Sequence, residues 1–550
     1  VAVLEILTAW VLFGTALCGI GLLAARVLRI RTDGSLSLSF WLGYAVTLGA
    51  LCAVCLGHAI DGGVTIIFLC VGAAGFAAPN DRQQWWRQVR HESGWIAWLL
   101  LIAVWLADRA RLEPQNGDSY LYHLQAVAWA ESYRVTPGLA NLHDRLGFNN
   151  SSTLLLALLD HGPLEGRAAH VANGLPLLPL FARGIRAVAR LAGDIRRSAR
   201  TGTPRDGLDA VLLVPAVDWA LGINLSSASP DLPVACVEAA IASELAGCLS
   251  EGSRHPLSSL VLMAAGLLTL KLSSLGFLVG LAWPMAFLVR GRWGTERLRR
   301  AGIAAVSFVS CWIARGIVLS GYPFYPNGSG ALPVDWRIRP ERQKEEWGYM
   351  LAFGRRPGEP WREVLASWDW LGPWAKSIVL LNRDVVIPVV AAVVLVVVAR
   401  VVPGRKAGVS RPLFVLFGPP LAGLAFWFAT SPDVRFAGAC FWLLPAAGAA
   451  LFVSRGLRGP AASLLPGAAL ALALWPFTTP WRHIGPVKPG FRDPAPARTK
   501  SFVTRSGLSL LTPASGSGCY GSALLCAQKA DQEIRLRDPN HVAAGFTVQP

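Results

Sequence analysis

Charge is what this sequence has least of. Asp, Glu, Lys and Arg supply only 15% of its 550 residues while hydrophobic residues supply 53%, and the mean hydropathy is +0.44. So little polar surface excludes a soluble globular fold, and the length exceeds what a single membrane anchor needs. Familiar short motifs are missing as well. No P-loop, dinucleotide fingerprint or HExxH occurs, which leaves ATP-driven transport, redox and zincin chemistry without support. No short repeat or low-complexity block stands out. Acids are fewer than bases, 34 against 51, for a net charge of +17. The bases sit in short clusters between apolar runs, as loop charges on one membrane face do, so no nucleic-acid partner is expected.

What is abundant is apolar sequence. Runs able to cross about 30 Å of hydrocarbon at about 1.5 Å per residue lie near 3–26, 38–58, 63–79, 94–109, 168–192, 207–224, 231–249, 256–272, 273–290, 300–320, 378–402, 411–430, 436–454 and 460–477. This predicts an all-α polytopic membrane protein of about 14 spans. The pair flanking Lys271 also fits one bent helix or a re-entrant hairpin. The first run has no cleavage site of small residues and reads as a retained helix. "RVLRIR", "DRQQWWRQVRH", "DIRRSARTGTPR", "RGRWGTERLRR", "RVVPGRKAGVSR" and "SRGLRG" alternate with the spans so as to share one side. The positive-inside rule makes that side cytoplasmic. The loops at 113–167 and 321–377, the segments at 224–231 and 431–438, and the tail at 478–550 then face outward, and 1–477 form the membrane domain.

Eight of the ten cysteines lie in apolar runs, where a thiol acts as a small hydrophobe. Cys519 and Cys526 stand apart in the polar tail, where either a short disulfide or two free thiols fits. The tail is rich in Pro, Gly and Ser and reads as a small cap or an extended arm. Within 321–377, "RPERQKEEWGYMLAFG" reads as a surface or interfacial helix.

The chemistry concentrates in "NGDSYLYHLQAVAWAE" and "TPGLANLHDRLGFNNSS". Asp118 follows the fourth span directly, with Tyr122, Gln125 and Trp129 recurring at helical spacing after it. A carboxylate at a helix start beside a membrane surface suits a general base or metal ligand; an N-cap is the alternative. Asn141, His143, Asp144, Arg145, Asn149 and Asn150 then crowd about ten residues. Such density matches a sugar or phosphate site better than a bare solvated loop.

"GDSYLYHLQAVAWAESYRVTPGLANLHDRLGFNNSS", "SSASPDLPV", "LTLKLSSL", "RGIVLSGYPFYP" and "SPDVRFAGACFW" span about residues 113 to 442. They resemble blocks of a bacterial branch of the GT-C superfamily, integral-membrane glycosyltransferases that use polyprenyl-phosphate-linked donors. The resemblance implies a GT-C-like helical bundle with external interfacial helices, in a bacterial plasma membrane, with its active site on the external face. It implies a polyprenyl-phosphate-linked sugar donor, an external glycan, lipid or protein acceptor, and surrounding membrane lipid. Asp118 would match the family's external-loop acid. Lys271, Arg315 and Arg435, at or within the ends of apolar runs, would face the phosphate, with snorkelling to the interface as the alternative. Tyr122, His123, Gln125, Asn141, His143, Asp144, Arg145, Asn149, Asp231, Tyr322, Tyr325 and Asp433 would complete substrate binding. No DxD or ExD pair stands at Asp118, so a divalent cation (Mg2+ or Mn2+) stays open, with Asp144 or Asp231 as a second carboxylate. A transporter or lipid-linked-saccharide flippase, and a cell-envelope oligosaccharide polymerase or ligase, are the competing readings. The first lacks the internal repeats it usually shows.

Overall fold

A helix occupies each of the apolar runs in the computed structural model, which describes residues 1–30, 32, 35–91, 93–197, 202–250, 257–289, 296–380, 382–401, 413–455, 460–474, 490–492, 495–516 and 518–548. The fourteen helices are α1 (Ala2–Leu28), α2 (Leu36–Gly57), α3 (Gly62–Ala74), α4 (Ser93–Ala110), α6 (Leu177–Arg197), α7 (Pro204–Leu221), α8 (Asp231–Ser250), α9 (Leu257–Leu270), α10 (Leu275–Val289), α11 (Glu296–Ser320), α13 (Arg383–Val401), α14 (Gly418–Thr430), α15 (Cys440–Ser454) and α16 (Pro460–Leu474). Outside that set, α5 (Leu124–Ser132) and α12 (Pro340–Phe353) belong to the two long loops. The basic stretches at 290–295, 402–412 and 456–459 and the residues 198–201 lie outside the described residues.

The chain is predominantly helical, and its helix lengths support part of the expected span count. Among the described residues six helices are long and apolar enough to cross a membrane, namely Ala2–Leu28, Leu36–Gly57, Asp231–Ser250, Leu272–Val289, Glu296–Ser320 and Arg383–Val401. Five further apolar helices, including Gly62–Ala74, Leu257–Leu270 and Cys440–Ser454, are shorter. At Lys271 the backbone turns extended (φ −162°, ψ 134°) between α9 and the 3-10 turn that begins α10, so the Lys271 pair is two short helices meeting at a charged apex. The run expected at 168–192 is also divided. A turn of helix at Ala168–Val171 precedes α6, and Arg183 in α6 is buried in pairs with Asp209 of α7 (3.3 Å) and Glu244 of α8 (3.0 Å).

Local signals start several helices as expected. Ser35 caps α2 through Leu38 N, and Asp61 caps α3 through Val64 N. Thr203 and Asp206 form a capping box at α7, with Pro204 in its first turn. The helices α1 and α2 cross at small residues: a Cβ on Gly21 would collide with Ser39 O, and one on Gly43 with Leu17 O. Such contact is how helices associate where lipid removes the hydrophobic drive. One group gathers α1, α2, α3, α9 and α11, and another gathers α6, α7, α13, α15 and α16. Between them lies α8, buried through its whole apolar window and touching α7, α9 and α15. Its first residue is Asp231, so the central helix delivers a carboxylate to one end of the bundle.

The tail is a small folded cap, not an extended arm. Strand β1 (Thr499–Val503) pairs antiparallel with β2 (Ser509–Pro513), and β3 (Arg535–Leu536) with β4 (Phe546–Thr547). A disulfide joins Cys519 to Cys526, deciding the alternative the sequence left open.

Candidate functional site

Two loops at the end of the bundle are held together by hydroxyl and amide groups. Asn116 Oδ1 accepts from Asp118 N (3.0 Å) while its Nδ2 donates to Asn224 Oδ1 (2.6 Å). The Ser119 and Ser227 hydroxyls meet at 3.0 Å. Asn173 Nδ2 reaches the carbonyls of Asn224 (2.7 Å), Ser227 (2.9 Å) and Ser229 (3.1 Å). These bonds replace water for buried backbone groups and set Asp118 and Asp231 around a common cavity of about 930 Å³.

Asp118 adopts helical backbone angles (φ −65°, ψ −24°) before the turn at Ser119–His123, and its side chain caps nothing. The N-cap alternative therefore fails. Its carboxylate lies between two guanidinium groups instead: Oδ1 is 3.3 Å from Arg145 Nη1 and Oδ2 is 3.0 Å from Arg435 Nη2. Arg145 also donates Nε to Glu346 Oε1 (3.2 Å). Lys271 pairs with Asp231. Aromatic faces shelter these cations, with Lys271 4.3 Å and Arg435 4.6 Å from the Phe436 ring centre, and Arg145 5.3 Å from that of Tyr349. Burial opposes charge on Arg145, but Glu346, Tyr122 and Asp118 outweigh it and its pKa rises above the ordinary arginine value. Burial also opposes charge on Arg435, and Asp231 and Asp118 reverse the sign there too. For Glu346 burial wins over Arg145 and lifts its carboxyl above the usual range. Burial chiefly, with Lys271 and Arg435 adding to it, brings His123 down to about 4; burial, Arg145 and Arg342 bring His143 down to about 3. Both imidazoles are neutral at neutral pH.

Of the residues expected at the site, Asp118, Tyr122, His123, Asp144, Arg145, Asn149, Asp231, Lys271, Tyr325 and Arg435 line this cavity. The other six stand behind its wall. Gln125 donates to Cys526 O (2.8 Å) and Asn141 to Trp336 O (2.8 Å), so both hold protein backbone. His143 Nδ1 accepts from Arg145 N. Arg315 is buried with Nη1 2.6 Å from Asn149 Oδ1 and supports the wall from behind, as a structural neighbour and not a snorkelling one. Tyr322 packs with Ala140, Tyr325 and Ile338. Asp433 accepts from the backbone N–H of Arg435 (3.0 Å), so a side-chain clamp between the two is not formed and the guanidinium is left to Asp118.

Sequence reasoning missed the contribution of α12. Glu345, Glu346, Tyr349, Met350 and Phe353 line the cavity, at the spacing of one helical face. Arg342, one turn earlier, pairs with Asp144 and with Asp531 of the tail (3.4 Å). That stripe was readable by period. Trp312, Trp361, Gln528 and Lys529 also line the cavity, and no local signal marked them. Among the described residues no group of three or more His, Cys, Asp or Glu is placed to hold a metal ion; the two central carboxylates face guanidinium and ammonium groups.

No curated protein and no solved structure matches this sequence. A family model does, described as "Domain of unknown function (DUF8201)", over residues 4–442. That span contains all but the first two residues of α1, every helix from α2 to α14, and every cavity residue except those of the tail. The chain belongs to the DUF8201 family.

Proposed function

We propose that the protein is a multi-pass membrane glycosyltransferase moving a sugar from a polyprenyl-phosphate-type donor to an acceptor on the external face. The observation that carries the reading is Asp118, held between Arg145 and Arg435 in a cavity that also presents Lys271 and Asp231. Carboxylates serve an acceptor hydroxyl, and fixed cations serve a departing phosphate. In the reaction the acceptor oxygen attacks the anomeric carbon while its proton passes to a carboxylate oxygen of Asp118. The bond from that carbon to the phosphate oxygen breaks, and its electron pair leaves with the phosphate. Lys271 and Arg435 meet the charge as it grows. A phosphate arriving at Arg435 competes for the guanidinium and draws it from Asp118 Oδ2, freeing that oxygen to take the proton.

Depth in the membrane supports a lipid donor. The helices α14 and α15 have 13 and 15 residues, or roughly 20–22 Å at 1.5 Å per residue. This falls short of about 30 Å of hydrocarbon. The turn between their tips, which carries Arg435, then lies below the external surface, within reach of a lipid phosphate, and Lys271 lines the same cavity. We read all fourteen helices as crossing or entering a bacterial plasma membrane, with the basic loops cytoplasmic. The Cys519–Cys526 disulfide suits the oxidising side opposite.

The test is turnover. Purified protein in liposomes is given a radiolabelled hexose linked to polyprenyl phosphate, together with a cell-envelope extract as acceptor source. The expected outcome is release of polyprenyl phosphate, reduced about 100-fold by Asp118→Asn. No release above a protein-free control would sink the reading.

A further inference from the structure

The family match stops at residue 442, yet the cavity is not closed without the tail. Gly518, Gln528 and Lys529 form part of its wall. They are delivered by a loop tied at several points to the segment that carries Asp118. The disulfide joins residues seven apart in sequence. Buried Gln125, two turns of chain beyond Asp118, donates its amide to Cys526 O (2.8 Å) and Leu524 O (3.3 Å). Gly518 lies so close to this segment that an added Cβ would come 2.8 Å from Tyr120 O. Farther along, Asp531 pairs with Arg342 (3.4 Å), which also holds Asp144. Phe546 N donates to Pro137 O (2.9 Å), and Asn141 Nδ2 reaches Phe546 O (3.3 Å). The buried amide of Gln125 is thus spent on seating the tail, and that of Asn141 is shared between the tail and Trp336 O (2.8 Å).

The two side chains presented by this loop differ from those on the cavity floor. Lys271 and Arg435 face carboxylates and aromatic rings at the helix tips. Lys529 is exposed and reaches the same cavity from the water side, close enough to favour the ionised form of Asp144. Gln528 adds an amide that both donates and accepts, and Trp361 adds an aromatic ring to the lining. A neutral amide, a mobile ammonium and a ring suit a hydroxyl-rich group with a negative charge.

We propose that the disulfide-closed loop and the three residues after it form the acceptor wall of the site, where Gln528 and Lys529 contact an anionic, hydroxyl-bearing head group and select the acceptor. The proposal rests on the transferase reading for its chemistry, while the seating of the wall stands apart from it.

Two arms keep these separable. The first uses no ligand: hydrogen exchange of the full chain in nanodiscs, before and after reduction with a phosphine. Opening the disulfide should speed exchange at residues 118–124 about fivefold or more, since those amides lie under the loop. A Gln125→Ala protein, with its disulfide intact, should move the same way. Unchanged exchange in both would overturn the wall. The second arm measures turnover of a polyprenyl-phosphate-linked hexose with an acidic and a neutral glycan acceptor. Lys529→Glu should raise KM for the acidic acceptor roughly fivefold or more, and by more than for the neutral acceptor. Equal KM values for wild type and variant would overturn the assignment of Lys529. Absence of turnover in the wild type contradicts the transferase reading and the acceptor assignment together, and the exchange arm then decides the wall alone.

Discussion

The contact between Asp118 and Arg435 should appear as a coupling energy that a phosphate ligand weakens. The perturbation is a cycle of Asp118→Asn, Arg435→Gln and the double variant. The ions are 3.0 Å apart, with the carboxylate 20% and the guanidinium 28% exposed. With charge centres about 4 Å apart and an effective dielectric constant near 20, the bare attraction is about 4 kcal/mol. Water access and side-chain ordering reduce the net term to roughly 1–2 kcal/mol. Asp118→Asn alone should cost more than Arg435→Gln, because it leaves two guanidinium groups facing each other without their shared anion. The assay is reversible unfolding of the purified variants in mixed micelles, with and without polyprenyl phosphate. Without lipid the coupling should be about 1–2 kcal/mol; with saturating lipid it should shrink, since Arg435 turns to the phosphate. Additivity within about 0.3 kcal/mol in the lipid-free protein would refute the claim that these groups form a functional pair.

Arg315→Ala should destabilise the protein by about 2–4 kcal/mol, through the lost bond to Asn149 and the gap behind the wall, and leave lipid-phosphate affinity within about twofold. Thermal melts with and without lipid check this. The depressed histidines predict an acid limb. Folded values of about 4 for His123 and about 3 for His143 lie below the unfolded 6.5. The unfolded chain therefore takes up protons first, and stability falls as pH drops from about 6.5 toward about 4. His143→Gln should flatten that limb in a melting series. Glu131 has the opposite sign. Burial and Asp160 raise it to about 9 from 4.5, so its contribution is present below 4.5 and is lost as pH rises toward 9, and Glu131→Gln should melt higher than wild type at pH 8. Cysteine labelling should find Pro340, Val434 and Ala530 outside and Trp85, Arg196 and Thr295 inside; one reversed site would require a different span count.

Helix positions were legible because apolar runs this long have few other options in a chain so poor in charge. Helix lengths were less so. The break at Lys271 was legible as the boundary between two apolar runs, but its pairing with Asp231, forty residues away, was not. The run at 168–192 misled because Arg183 lies among leucines and alanines, and only the carboxylates of α7 and α8 make its burial tolerable. At the site, Asp118, Lys271 and Arg435 were legible as charges a membrane protein would not keep at helix ends without use, and Arg145 as part of the polar cluster at 141–150; Arg315, read in the same way as Lys271 and Arg435, supports the wall from behind. Gln125 and Asn141 were placed near the right region in the wrong role. Gln125 holds backbone 401 residues downstream, and Asn141 holds backbone 195 and 405 residues downstream, and nothing in the local sequence announces such contacts. The face of α12 was available from periodicity alone, once a surface helix is allowed to turn its charged stripe inward.

The central claim is that Lys271 and Arg435 receive a lipid phosphate beside Asp118. The most direct measurement is a cryo-EM reconstruction of the full chain in nanodiscs with polyprenyl phosphate. The account predicts phosphate density within hydrogen-bond reach of both cations, about 2.7–3.2 Å, with Arg435 drawn from Asp118 and the prenyl chain running out among α9, α10 and α14. Phosphate density elsewhere on the protein, or an unchanged Asp118–Arg435 contact in a cavity without lipid at saturating concentration, would contradict it.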